Sequence, residues 1–257
     1  MPSSLIPIMI DAAYKAGKLI LEFYGKTISI EEKADHSPVT IADRLAEKTI
    51  INILQKAAPS YPIIAEERVT CGYHPQKLPE TFFLVDPLDG TKEFIAKNGE
   101  FTINIALIHK SSPLLGVIYV PVRHLLYIGS PEGAYINSGT HNEKIQVRHI
   151  QNPPTIVASR SHRSSQTDEW IKQHSPNQLL TIGSSLKFAL LAEGKADFYP
   201  RFEYCMEWDT AAGDAILRAA GGCAYDSFGK PLIYGKRNRA AALDFRQDFF
   251  IAQASPA

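Results

Sequence analysis

Apolar residues recur at Ile6, Ile10, Ala13, Gly17, Ile20 and Tyr24, a helical period that Gly25 brings to an end. Thr27-Ile28-Ser29-Ile30 alternates as a short strand does. Ser37-Pro38-Val39-Thr40 then leads into a second helical pattern from Ile41 through Ile50, Ile53 and Leu54, closed by Pro59. Tyr61-Pro62-Ile63-Ile64-Ala65 is an apolar strand ending at Glu66-Glu67, and a polar loop with Gly72, Pro75 and Pro79 separates it from the strand Thr81-Phe82-Phe83-Leu84-Val85. Pro87 has no N–H to give a ladder, so this strand is expected to stop there. Thr91 to Ile95 is expected to open a helix.

The middle third changes rhythm. Phe101 to Ile108 is a strand, and Leu114–Val120, His124–Ile128, Gly133–Ile136 and Ile145–Val147 follow at short spacing with Gly, Pro and Asn between them, as in an antiparallel meander. After Asn152-Pro153-Pro154 the pattern alternates: strand Thr155–Ala158, helix Ser165–His174, strand Leu179–Ile182, helix Ser184–Glu193, strand Asp197–Tyr199. A helix from Thr210 to Ala220 and strands around Ala224 and Leu232 complete the chain. No repeat is visible. The expected class is α+β, with an antiparallel-sheet subdomain over residues 1–152 and a smaller α/β subdomain over 153–257, together one catalytic unit.

Composition narrows the function classes. At 257 residues and 45% apolar the chain can bury a sizeable core, and 27 basic residues balance 27 acidic ones. No global field steers such a chain to a nucleic-acid polymer or a membrane, so a phosphate-bearing ligand must be held locally. Cys71, Cys205 and Cys223 form no Cys-x-x-Cys, which points to a reducing compartment. Cys71-x-x-His74 has no partner pair and reads as a loop accident rather than a zinc half-site. The run Leu5–Ile10 lacks a basic start and a cleavage pattern, so it is not expected to be a signal peptide, and no apolar run nears the ~18 residues of a membrane span.

The candidate chemistry centres on Asp86-Pro87-Leu88-Asp89-Gly90-Thr91. Strands disfavour Asp, and two close carboxylates repel unless a cation or proton holds them. Carboxylates, a turn carbonyl at Leu88, and backbone N–H groups beyond Gly90 describe a hard-cation site beside an anion cradle, the equipment of metal-assisted phosphoryl transfer. An ordinary Asx turn with Gly at positive φ fits the same hexapeptide. Asp209, ahead of the last helix, suits an N-cap, and such a cap is also free to coordinate a metal. Thr40-x-x-Asp43 is an imperfect capping box, and one of Glu66 and Glu67 is expected to face a metal, Lys or Arg. A Cys-x5-Arg phosphatase loop, an Asp-x-Asp nucleophile motif and a metal-binding His pair are all missing, which argues against covalent phospho-enzymes and zinc.

Glu66-Glu67, the Asp86–Thr91 hexapeptide and Trp208-Asp209-x-Ala211-x-Gly213 together resemble the signature of the lithium-sensitive, magnesium-dependent inositol monophosphatase superfamily, in its order and spacing. Further stretches are similar to its bacterial 3′(2′),5′-bisphosphate nucleotidases: Lys33-Ala34-Asp35 with Ser37–Thr40, Gly90–Ile95 with Asn98–Thr102, Ser159–His162, Gly183–Phe188, Glu193–Asp197, Pro200-Arg201 and Met206–Asp209. The resemblance implies a layered α/β sandwich and two Mg²⁺ ions, with room for a third. Glu66, Asp86 and the Leu88 carbonyl would hold one; Asp86, Asp89 and Asp209 would hold another. Thr91, polarised by Asp43, would orient the attacking water, with Glu66 completing the catalytic set. Gly90 and Thr91 would cradle the phosphate, bordered by Glu66, Leu88, Asp89 and Asp209. His162, Ser184, Lys187 and Arg201 would face the nucleotide and its second phosphate, although His162 also fits a solvated turn and Lys187 a helix-face charge.

The implied activity is removal of the 3′-phosphate of adenosine 3′,5′-bisphosphate to give AMP, which clears a by-product of sulfate activation. Inositol-1-phosphate hydrolysis is the rival enzyme reading, and a non-catalytic phosphate-ligand sensor the rival of another class. The expected partner is a small nucleotide, not a nucleic-acid polymer, with the chain a monomer or homodimer. The expected location is cytoplasmic, with loose attachment to the inner membrane's cytoplasmic face left open. Cys205, near Asp209, reads as an inert thiol in preference to an oxidation sensor.

Overall fold

The computed structural model describes residues 2–33, 38–73, 75–239 and 242–255. Ala34, Asp35 and Ser37 of the nucleotidase-like stretch, and His74 of the Cys71-x-x-His74 pattern, lie outside the described residues. In chain order the elements are α1 (Ile6–Phe23), β1 (Ile30–Glu32), β2 (Pro38–Thr40), α2 (Ile41–Ala57), β3 (Ile63–Ala65), α3 (Glu66–Thr70), β4 (Thr81–Asp89), α4 (Thr91–Ile95), β5 (Thr102–His109), β6 (Ser112–Val120), β7 (Leu125–Ser130), β8 (Gly133–Asn137) and β9 (Asn142–Ile145). There follow β10 (Thr155–Ser159), α5 (Ser165–Gln173), β11 (Gln178–Ile182), α6 (Leu186–Ala192), β12 (Phe198–Arg201), β13 (Cys205–Met206), α7 (Glu207–Ala219), β14 (Cys223–Tyr225), β15 (Arg246–Gln247) and β16 (Phe250–Gln253).

Two large sheets and three helical layers alternate, with the two-stranded ribbons β1-β2 and β13-β15 beside them. The first sheet has seven strands in the order β3-β4-β5-β6-β7-β8-β9, so the meander is a run of sequential antiparallel neighbours, with β3 joined parallel to β4. The second runs β11-β10-β12-β16-β14, parallel at β11-β10-β12 and antiparallel around β16. Alternate residues of β4 face opposite ways, as the pleat dictates: Phe83 and Val85 join the core under α1 and α2, while Phe82 and Leu84 join the core that α6 and α7 share with the second sheet. A smaller cluster, Ile156, Ala158 and Ile171, seats α5 on the far face of the second sheet. The result is an α–β–α–β–α sandwich, in agreement with the expected α+β class.

Helix α7 is the keystone of this stacking. Ala211, Ala212, Ile216 and Leu217 are buried between the sheets, and the helix lies close enough to β6 that a Cβ on Gly116 would sit 2.4 Å from the carbonyl oxygen of Ala212. A side chain there would lever the helix off the sheet, and with it Asp209 in the helix's first turn. Trp208 is buried at the same end and anchors it in the core.

Several boundaries differ from the sequence reading. Strand β4 does not stop at Pro87 but runs to Asp89, with a register shift between the Asp86 and Asp89 pairings that takes the proline out of the ladder. Glu66-Glu67 do not end a strand; they form the first turn of α3. The early strand lies at Ile30–Glu32 instead of Thr27–Ile30, β9 precedes rather than includes Val147, and α6 starts at Leu186, leaving Ser184 ahead of it in the left-handed region at φ 56°. Around Leu232 there is only a bridge between Tyr225 and Pro231. Strand β16, which no local pattern announces, joins β12 to β14.

Candidate active site

A cavity of about 780 Å³ opens where the two sheets' loops meet. Glu66, Asp86, Leu88, Asp89, Gly90 and Thr91 line it from the first half of the chain. His162, Ser184, Lys187, Arg201 and Asp209 line it from the second. Every site residue expected from the sequence is therefore in one place, except that Asp43 stands behind Thr91.

Asp43 is placed by the start of α2. Its Oδ2 accepts the Thr40 backbone N–H at 2.8 Å and the Thr40 hydroxyl at 2.6 Å, while Thr40 Oγ1 in turn accepts Ala42 N–H at 3.2 Å. The capping box is thus complete with Asp in the Glu position. Its other oxygen, Oδ1, accepts the Thr91 hydroxyl at 3.0 Å. Asp43 is 2% exposed, and burial raises its pKa above the ordinary aspartate value against the pull of those donors. A hydroxyl whose proton is held by a buried carboxylate turns its lone pairs into the cavity, ready to accept from a water.

The end of β4 supplies the acidic floor. Asp86 Oδ1 accepts the Leu88 backbone N–H at 3.0 Å, bending the chain over Pro87. Gly90 follows at φ 92°, where a Cβ would press on Glu100 O and Ser184 Cβ at 3.3 Å, so the backbone passes close under the second half of the chain. Asp209 is not the N-cap of α7, as its position suggested; Met206 is, and Asp209 sits in the first turn reaching back to Met206 N–H at 3.0 Å. Asp86 titrates well above the usual carboxylate range because of burial first, then Glu66, Asp89 and Asp209. Asp209 is pushed up to about 7 by burial and by the Asp89 and Glu66 charges.

Three of the protein's other buried acids are clasped by a cation. Asp197 is clasped by Arg148 at 2.9 and 2.8 Å, Asp214 by Arg218 at 3.1 and 2.8 Å, and Glu207 by Lys236 at 3.1 Å. Glu207 also accepts Gly235 and Lys236 N–H, fastening that loop to α7. Asp86, Asp89 and Asp209 have no such cation among the described residues. Glu66 does: Lys33 Nζ lies 2.7 Å from it and 2.6 Å from Glu67. The expectation that one glutamate meets a cation holds for both. Lys33 stands in the nucleotidase-like stretch, where a lysine without periodic neighbours carries no signal of its own. Among the described residues no three acidic, histidine or cysteine side chains close into a finished metal cage. The donor set nonetheless fits a hard divalent cation: it is all oxygen, it converges on one cavity, and its three uncompensated carboxylates repel one another.

Opposite the acids stand the cations. Lys187 is 3% exposed, donates from Nζ to the Ser184 carbonyl at 2.5 Å and lies 5.1 Å from the centre of the Tyr199 ring. It faces the cavity, so the helix-face alternative for it falls away. Arg201 reaches the Tyr204 carbonyl at 3.4 Å, while its buried Nε has no partner, an unusual cost that an anion would relieve. His162 is held below the usual histidine range by partial desolvation and then by the charges of Arg201 and Lys92, so it acts as a neutral ring. Cys205, also on the cavity wall, has its thiol pushed up to about 12 by burial, as suits an inert thiol.

The profile of the inositol monophosphatase family matches residues 1–255. The chain is 43% identical over 240 residues to the 3′(2′),5′-bisphosphate nucleotidase CysQ of Escherichia coli K12, covering 93% of this chain and 97% of that one. Among solved structures it is similar to CysQ from Bacteroides thetaiotaomicron, described as a bacterial member of the inositol monophosphatase family, with TM-score 0.81, 42% identity and coverage of 98% and 97%. An inositol monophosphatase from Zymomonas mobilis aligns with TM-score 0.77 and 26% identity over 98% of this chain and 93% of that one.

Proposed function

The chain belongs to the inositol monophosphatase family, and on that premise we propose that it is a metal-dependent phosphatase that hydrolyses the 3′-phosphate of adenosine 3′,5′-bisphosphate to AMP. The observation that carries the reading is the cavity's polarity: three carboxylates without a cation of their own face a buried lysine and an arginine with an unpaired N–H. The first set suits metal-bound phosphate; the second suits a further phosphate on the same ligand. The names of the relatives point to the same substrate class.

Mg²⁺ suits the oxygen donors: Glu66, Asp86 and the Leu88 carbonyl would hold one ion and Asp86, Asp89 and Asp209 a second, with room for a third. Bound there, such ions acidify water and stabilise the departing alkoxide. The chain's own residues do the rest. Thr91, its proton committed to Asp43, accepts from the attacking water and sets its line of approach to phosphorus; Asp43 fixes that hydroxyl and draws the proton's charge toward a buried carboxylate. Backbone N–H groups at Gly90 and Thr91 hold the phosphate oxygens, bordered by Glu66, Leu88, Asp89 and Asp209. Lys187 and Arg201 bind the 5′-phosphate, and His162 and Ser184 position the nucleoside. The halves 1–152 and 153–257 act as one catalytic unit, since acidic residues of both border the cavity.

No helix among the described residues is long and apolar enough to cross a membrane. All three cysteines are free thiols, which suits the reducing cytoplasm, and the reading is of a cytoplasmic monomer or homodimer clearing a by-product of sulfate activation. The intact Thr91–Asp43 pair favours an enzyme over a silent sensor. The test is phosphate release from a panel of bisphosphorylated nucleotides and inositol phosphates, with Mg²⁺ and with EDTA. Preference for adenosine 3′,5′-bisphosphate and loss in EDTA are expected; a preference for inositol 1-phosphate would replace the nucleotidase reading, and no turnover of either would leave the sensor.

A further inference from the structure

Asp89 is held differently from its acidic neighbours. One oxygen, Oδ2, accepts three neutral hydrogen bonds, from Ser185 Oγ at 2.7 Å, Ser184 Oγ at 3.1 Å and Asn104 Nδ2 at 3.2 Å. Its Oδ1 accepts none among the described residues. Asn104 is 1% exposed in the interior of β5, where a strand flanked by Ile103 and Ile105 would by pattern carry an apolar residue. The amide also donates to Ser185 Oγ at 2.9 Å, and its Oδ1 accepts the hydroxyl of Thr102, fully buried, at 2.9 Å. Asp89, which only accepts, sets which end of the amide faces it, and the Thr102 hydroxyl completes the other end, its one proton shared between Asn104 Oδ1 and Ser184 Oγ, which lies 2.5 Å away.

Ser185, 3% exposed, joins the two halves of the chain. Its hydroxyl has one proton and two acceptors, Asp89 Oδ2 at 2.7 Å and the Asp209 carbonyl at 2.9 Å. The two share it in a three-centre bond, nearer the charged oxygen. The same small side chain therefore keeps the strand bearing Asp89 and the helix bearing Asp209 at a fixed spacing. Three donors with no positive charge restrain the carboxylate without neutralising it, which is what a ligand for a cation needs and what an Arg clasp, as on Asp197, would prevent.

We propose that Asn104 and Ser185, braced by Thr102, are positioning residues that pin Asp89 Oδ2 and present Oδ1 to the divalent cation, in step with Asp209. This rests on the metal-dependent reading of the site. The test is titration of Mg²⁺ into metal-free protein, without substrate, by calorimetry, together with the Mg²⁺ dependence of turnover. Ser185→Ala should weaken cation binding roughly ten- to a hundredfold. Thr102→Val, nearly isosteric, takes away the hydroxyl that Asn104 and Ser184 share and should weaken it less but in the same direction. Both variants should recover most of the wild-type kcat when Mg²⁺ is raised to saturation. A lowered Tm with unchanged Mg²⁺ affinity would make the network a structural tie only and overturn the proposal. If Ser185→Ala does not fold, an unchanged affinity in Thr102→Val overturns it alone. Wild-type protein that binds no Mg²⁺ would instead bring down the reading on which the proposal rests.

Discussion

Replacing Lys187 by Met separates substrate recognition from chemistry. Met keeps the length and apolar stem of the side chain but removes the ammonium, and the acidic floor across the cavity is left alone. Burial lowers the Lys187 pKa from 10.5 to about 8, with Asp89 pulling it back up and Arg201 pushing it further down. An arriving phosphate dianion reverses that cost, so the charge is worth most when a bisphosphate is bound. Loss of one charge-assisted contact costs ~1.5–3 kcal/mol, roughly ten- to a hundredfold in kcat/KM. The loss should fall on adenosine 3′,5′-bisphosphate and be nearly absent on a monophosphate. Wild-type kcat/KM on the bisphosphate should decline as pH rises past about 8, and Lys187→Met should lose that limb. Stability follows with a definite sign. The folded pKa is lowered, so the group's contribution is present above the unfolded value of 10.5 and lost as pH falls through about 8. Relative to wild type, Lys187→Met should therefore gain about 3 kcal/mol in going from high pH to pH 7 in phosphate-free buffer. Steady-state assays on both substrates and denaturant unfolding at pH 7 and above pH 10.5 measure these effects. Equal losses on the two substrates, or a pH-independent stability difference, would refute the reasoning.

Asp86→Asn and Asp209→Asn should each abolish most turnover while leaving the metal-free protein as stable as wild type or more so, because each removes a buried charge repelled by its neighbours; Tm with and without Mg²⁺ checks this, and wild-type turnover in either variant at saturating Mg²⁺ would count against the ligand assignment. Thr91→Val and Asp43→Asn should lower kcat by roughly 10²–10⁴ with KM for the bisphosphate little changed, as expected of groups that position the water; a rise in KM alone would place them in binding. LiCl should inhibit more than NaCl at matched ionic strength, since Li⁺ fits an oxygen site sized for Mg²⁺ with half the charge; equal responses to the two salts would exclude the effect.

Much of this site was legible because its residues break local rules. Asp86 and Asp89 stand at the end of an apolar strand, and Thr40-x-x-Asp43 is a cap whether or not it serves a second purpose. The long amphipathic helices and the meander were equally plain, since their partners are sequence neighbours. What escaped was set by distant contacts. Strand β16 is four residues whose partners, β12 and β14, precede it by more than a turn's length, so no hairpin signal marks it. Helix α7 begins at Glu207 behind a methionine cap, its start written in Asp209 reaching backward, which looks from sequence like Asp at the cap itself. Strand β4 survives Pro87 because the register shift removes the demand for an N–H there. Lys33 and Asn104 declare themselves only through what they touch, Glu66 and Glu67 in one case and Asp89 in the other.

The central claim is that the acidic floor takes the 3′-phosphate while Lys187 and Arg201 retain the 5′-phosphate, and the identity of the nucleoside product tests it most directly. Adenosine 3′,5′-bisphosphate turned over with Mg²⁺ and followed by ³¹P NMR should yield AMP with its 5′-phosphate intact and one equivalent of inorganic phosphate, with no reaction in EDTA. Accumulation of adenosine 3′-phosphate, or undiminished turnover in EDTA, would contradict the account.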